Sequence, residues 1–155
     1  MIDFSIRNDS KRAGRLNFQI GHVFEEYDSY NNEVDESHID LKDSIVIKEE
    51  AFSLVESCFA SEFPVKDRHY IYYHHGENLH DIQSIKSIIN KLNEKKSKLE
   101  QHGVNIEEYY WFEKEVIQYL NNNKTMIYKF IDNIINFLQL SIGEIECKAI
   151  YVIGI

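Results

Sequence analysis

The segment from Lys124 to Leu140 carries Ile127, Phe130, Ile131, Ile134, Ile135, Phe137 and Leu138. On a helix these apolar side chains wrap more than one face. Such a helix belongs in the centre of a core and needs cover from more than one side. The rest of the chain must provide that cover, which limits the folds open to it.

The first third supplies strand patterns. Asp3–Arg7 and Leu16–Ile20 alternate apolar and polar residues, the period of a half-buried strand. Between them lies a polar turn, Asn8 to Gly14, with Gly14 available for a positive φ, so a hairpin or meander is predicted. His38 to Ile47 regains strand character and ends in the β-branched run Ile45-Val46-Ile47. A helix is predicted over 48–63, with Ala51, Phe52, Val55, Cys58 and Phe59 on one face and Pro64 as its stop. Arg68 to Tyr73 then reads as a strand.

The second half is helical. Asn78 with Asp81 three residues on resembles a capping box. A helix from there places Ile82, Ile85, Ile89, Leu92 and Leu99 on one stripe and ends near Gly103. Asn105 and Glu108 open a second helix, predicted to run to Leu120, with Tyr109, Phe112, Val116 and Leu120 on a face. After the helix from Lys124, the β-branched run Ala149–Ile153 predicts a strand returning to the sheet. Strands first, helices grouped after and one closing strand predict a single α+β domain over residues 1–155. Its sheet is mainly antiparallel and packs against about four helices.

Charge is distributed unevenly. The 155 residues carry a net charge of −9. Residues 25 to 50 hold ten carboxylates and only Lys42 and Lys48 as cations, so this stretch is −8 and the remainder −1. A one-sided field steers partners of opposite sign. Tyr27 and Tyr30 are interleaved with the acids, and Tyr adds contact area with little loss of side-chain entropy. The predicted contact surface is Glu25, Glu26, Tyr27, Asp28, Tyr30, Glu33, Asp35, Glu36 and Asp40. Next in order come the aromatics Tyr70, Tyr72, Tyr109 and Trp111.

Other chemistry is less well specified. His69, His74, His75, Glu77, His80 and Asp81 are residue types used by zinc sites and by acid–base centres. Their spacing matches neither His-Glu-x-x-His nor any paired-Cys template, so no metal, no cofactor and no catalytic residue is assigned. Cys58 falls on an apolar helix face, the setting of an inert cysteine. The basic groups Arg7, Lys11, Arg12, Arg15 and Lys91, Lys95, Lys96, Lys98 read as a turn and a helix end, not a phosphate-binding face. The N-terminal MIDFSIRNDSKRAGR lacks a signal peptide's apolar core. The expectation is a cytoplasmic chain with Cys58 and Cys147 as free thiols, acting on no membrane and no nucleic acid directly.

In size, acidity and predicted architecture the whole chain resembles the immunity proteins of bacterial toxin systems, including those of contact-dependent growth inhibition. The resemblance implies a non-enzymatic inhibitor whose partner is a basic toxin domain, often a nuclease. Two alternatives keep the same residues in view. One is a metal-dependent hydrolase built on the His69–Asp81 segment. The other is a phage-encoded acidic mimic of nucleic acid.

Overall fold

The computed structural model describes residues 1–26, 38–63, 72 and 74–154. The fold is α+β. Five antiparallel strands form one sheet in the order β1-β3-β2-β5-β4. They are β1 (Ile6–Asn8), β2 (Asn17–Val23), β3 (Ile39–Lys48), β4 (Glu77–Asp81) and β5 (Ala149–Ile153). The C-terminal strand returns to the sheet as predicted, and does so in its interior, between β2 and β4.

The predicted hairpin of the first two strands does not form. β1 pairs instead with β3, Ile6 opposite Ile47 and Asn8 opposite Ile45. β2 lies on the other side of β3. The intervening turn folds over the sheet because Gln19, buried in β2, captures its backbone. The Gln19 amide donates to Lys11 O and to Ser44 Oγ, each at 2.9 Å, while its carbonyl accepts from Ala13 N at 2.9 Å. The positive φ expected at Gly14 falls on Leu16, at 65°.

Helices α3 (Ile82–His102) and α5 (Lys124–Ile142) pack on one face of the sheet. Phe18 and Ile20 of β2, Ile45 and Ile47 of β3, and Ile150 and Val152 of β5 meet Ile85, Ile88, Leu92, Phe130, Ile131 and Ile134 there. α5 is central, as its apolar wrapping requires. On the opposite face Val23, Leu79, Ala149, Tyr151 and Ile153 form a second buried cluster, with Ile39 and Leu41 packed against it. β2 is therefore buried along its whole length.

Three predicted helices change. The one over 48–63 splits into α1 (Glu49–Phe52) and α2 (Glu56–Ala60). Cys58 N binds Val55 O at 2.9 Å, which leaves Leu54 O open to a distant tyrosine hydroxyl. The capping box at Asn78 is corrected: Asn78 lies within β4, opposite Val152. β5 takes Glu77–Asp81 as its second partner, and Asp81 caps α3 by accepting Ser84 N at 2.8 Å. The helix expected from Asn105 begins only at Lys114, as α4 (Lys114–Asn122). Among the described residues there are thus five helices, two of them single turns. The strand predicted over Arg68–Tyr73 lies, Tyr72 apart, outside the described residues.

Two buried histidines sit on the helical face. Ser141 Oγ donates to Phe137 O at 2.8 Å, so the 2.8 Å contact to His22 is a donation from His22 Nε2. Burial lowers the His22 pKa, against the pull of Asp43 and Asp40. His80 lies edge-on to Phe63, contacts Ser84 Oγ through Nδ1 at 2.8 Å, and among the described residues has no partner at Nε2. Burial, helped by Lys91, pushes its pKa down to about 3. Burial thus favours the neutral ring at both positions.

Two predictions follow from this packing. Gly21 stands alone opposite four residues of β3, Leu41–Ser44. A Cβ there would lie 2.8 Å from Ile39 Cγ2 and 3.2 Å from Asp40 O, whereas a Cβ on Gly14 meets nothing within 4 Å. Gly21→Ala should cost about 1–3 kcal/mol in denaturant unfolding, and Gly14→Ala no more than about 0.5 kcal/mol. Equal midpoints would refute the packing described at the bulge. The second concerns pH. The unfolded chain takes up protons on both histidines below pH about 6.5, whereas burial in the fold shifts that uptake to lower pH. Stability should therefore fall as pH drops below that value, down toward 3 for His80. His80→Phe should flatten the loss measured between pH 7 and 5; parallel curves would show that His80 is not held neutral.

Candidate functional site

The predicted contact surface is partly in view. Tyr27, Asp28, Tyr30, Glu33, Asp35 and Glu36 lie outside the described residues. Val23 pairs with Ile39, so the two ends of the acidic segment leave the sheet side by side. Phe24, Glu25, Glu26, His38 and Asp40 are all exposed there. Glu25 and Asp40 line one shallow concavity of about 540 Å³ together with Phe24 and His38. His38 Nδ1 is 3.2 Å from Glu25, and Lys148 Nζ is 3.6 Å from Glu26. Asp40 accepts from Lys42 N at 2.8 Å.

The last two acids of the stretch, Glu49 and Glu50, stand at the far end of β3, in the first turn of α1. There they wall a groove that sequence reasoning did not assemble. Its other wall is the segment 105–112. This segment is kept from being a helix by a series of local and distant bonds. Gly103 turns the chain out of α3 at φ 71°. Asn121 then holds Val104, accepting its N–H at 2.7 Å and donating to its carbonyl at 3.2 Å. Asn105 Oδ1 accepts Glu107 N at 2.8 Å, the Asx turn that competes with helix.

Tyr109 anchors the segment. Its buried hydroxyl donates to Leu54 O at 3.0 Å and accepts from Lys95 Nζ at 2.8 Å. The Lys95 ammonium also lies 2.6 Å from Glu108. Burial disfavours the Lys95 charge, but Tyr109 and Glu108 outweigh it and raise its pKa. Burial raises the Tyr109 pKa as well, so the phenol keeps its proton. With Tyr109 turned inward, its neighbours point out: Tyr110 is 79 % and Trp111 48 % exposed. Their rings meet edge to face at 5.3 Å, and Trp111 Nε1 reaches Ser53 Oγ at 3.4 Å.

The groove has a volume of about 790 Å³ and is lined by Glu49, Glu50, Glu56, His74, Tyr110 and Trp111 among others. His74 sits between two carboxylates, 2.6 Å from Glu56 through Nδ1 and 3.6 Å from Glu49 through Nε2. The Tyr72 hydroxyl donates to Glu56 at 3.4 Å; burial and that carboxylate raise its pKa. The available signal in the sequence was the unbroken run Tyr109-Tyr110-Trp111-Phe112, which cannot all face one core.

The histidine segment is dispersed. His69 lies outside the described residues. His75 is exposed, edge-on to His74. Glu77 pairs with Arg12 at 3.0 Å, His80 faces the core, and Asp81 caps α3. Among the described residues no three His, Cys, Asp or Glu side chains are placed to hold one metal ion. Cys58 and Cys147 are free and buried. Burial raises both thiol pKa values, that of Cys147 to about 11, so neither is a thiolate at neutral pH.

The basic clusters are partly neutralised. Arg7 lies 3.9 Å from Asp9, Lys96 binds Asp132 at 3.0 Å, and Lys91 binds Glu62. Among the described residues no helix is long and apolar enough to cross a membrane. Comparison with protein families, with curated proteins and with solved structures finds no match for this chain.

Proposed function

We propose that this chain is an inhibitor of the immunity type, which binds a basic toxin domain, of nuclease class, in the bacterial cytoplasm. Its contact surface is the acidic stretch, with Glu25, Glu26 and Asp40 at the neck and Tyr27, Asp28, Tyr30, Glu33, Asp35 and Glu36 between them. The observation that supports this reading is unneutralised charge. Asp40 at the neck has no cationic partner among the described residues, and neither has Asp43 three residues on in β3. Among the described residues the cation beside Glu26 is the exposed Lys148.

Carboxylates left free at a surface cost little while water solvates them. They gain most when a partner brings Lys and Arg. A nuclease site is such a partner, because it must hold phosphates. An acidic surface competes for the same cations and speeds encounter through its field. Phe24, exposed in the same concavity, adds apolar area to a contact that charge alone would leave wet.

The double variant Glu25→Lys/Asp40→Lys tests this reading. Both side chains are exposed, so thermal unfolding of the variant should match the parent, each change contributing about 0.5 kcal/mol or less. Co-expression with a cognate nuclease toxin domain should no longer be tolerated. Association should slow most at low salt, where screening is weakest. A folded double variant that still protects fully would remove the acidic neck from the interface.

A further inference from the structure

We infer that the aromatic groove between α1–α2 and the segment 105–112 receives an arginine side chain of a protein partner, stacked on Trp111 and paired with Glu50. This rests on the reading above for the partner's basicity. It goes beyond it by assigning a second contact at the opposite end of β3 from Glu25 and Asp40.

Three observations converge on that occupant. The first is the aromatic rim. Tyr110 and Trp111 are exposed beside a groove of about 790 Å³, a volume suited to a long side chain and its flanking backbone. Trp and Tyr in a concave surface are the residues that carry most binding energy in protein contacts.

The second is charge. Glu49, Glu50 and Glu56 line the groove. Glu49 and Glu56 share the single imidazole of His74, and Glu50 has no cationic partner among the described residues. An anionic occupant such as nucleic acid or an acidic lipid head would be repelled. A second copy of this chain carries a net −9 and would be disfavoured by long-range repulsion.

The third is the pairing of flat aromatic faces with carboxylates. A guanidinium is planar, stacks on an indole and donates two parallel bonds to one carboxylate. An ammonium can do only the point-charge part of this. The groove therefore discriminates arginine from lysine.

The sequence contains one tryptophan, so its fluorescence reports this groove alone. The experiment titrates the full chain, at about 0.15 M salt to suppress diffuse attraction, with blocked tetra-arginine, tetra-lysine and tetra-glutamate peptides. Tetra-arginine should give a saturable change in Trp111 emission. Tetra-lysine should bind at least tenfold more weakly and tetra-glutamate not at all. Glu50→Gln, at an exposed position, should weaken the tetra-arginine response at least fivefold with unchanged unfolding, whereas Glu25→Lys/Asp40→Lys should leave it intact.

Arginine binding seen by calorimetry without a Trp111 response, and lost in Glu25→Lys/Asp40→Lys, would overturn the groove and leave the acidic-neck reading standing. A Trp111 response that survives Glu50→Gln, or that lysine matches, would also overturn it. A groove that behaves as expected, in a chain whose Glu25→Lys/Asp40→Lys variant still protects, would support this inference and remove the acidic neck.

Discussion

One buried hydroxyl ties the two halves of this chain together. Tyr109 spends its proton on the Leu54 carbonyl and its lone pair on Lys95. Lys95 comes from the regular helix α3, but the contact to Leu54 exists because regular structure gives way on both sides of it. The break between α1 and α2 frees the Leu54 carbonyl, and the Asx turn at Asn105 delivers Tyr109 to it. A buried phenol without those partners would leave its hydroxyl unsatisfied, at a cost of about 1–3 kcal/mol. The groove, and the exposure of Tyr110 and Trp111, follow from the same arrangement.

The acidic stretch is divided by β3. Its first members gather at the neck between Phe24 and Asp40, and its last, Glu49 and Glu50, reach the groove. Strand geometry thus converts one run of like charge into two separated surfaces. Each joins carboxylates to exposed aromatic carbon, Phe24 at one and Trp111 at the other. On the reading proposed above, one partner that reached both surfaces would engage the second at a high effective concentration.

Much of the fold was legible because its periodicities are strong. β2, β3, α5 and β5 are where alternation and helical spacing put them, and the burial of Ile85, Ile89 and Leu92 followed from the α3 stripe. The errors occur where a distant partner decides. Asn78 and Asp81 fit a helix cap locally, but β5 needs an edge to pair with, and Glu77–Asp81 satisfies it. The five apolar positions over 51–59 are buried in a broken helix as they would be in a continuous one, so their pattern could not reveal the break. β1 chose β3 over β2 through Gln19 and Ser44, polar residues with no period to read. In the candidate site, Glu25 and Asp40 were visible through charge alone. The groove was not, because Glu50 and Trp111 meet only after some sixty residues of intervening chain have folded.

The position of β5 has a consequence for how this protein is made. It follows every other described element in the chain, yet it lies inside the sheet, with β2 on one side and β4 on the other. During synthesis the ribosome delivers it after both neighbours. Until then, β2 and β4 each offer an open edge, and the apolar residues Phe18, Ile20 and Leu79 lack their final cover. Unpaired edges and uncovered apolar surface of this kind are what make an incomplete chain prone to aggregate. Closing the sheet joins Asn17–Val23 to Ala149–Ile153, a pairing across nearly the whole chain whose loop-closure entropy favours late formation.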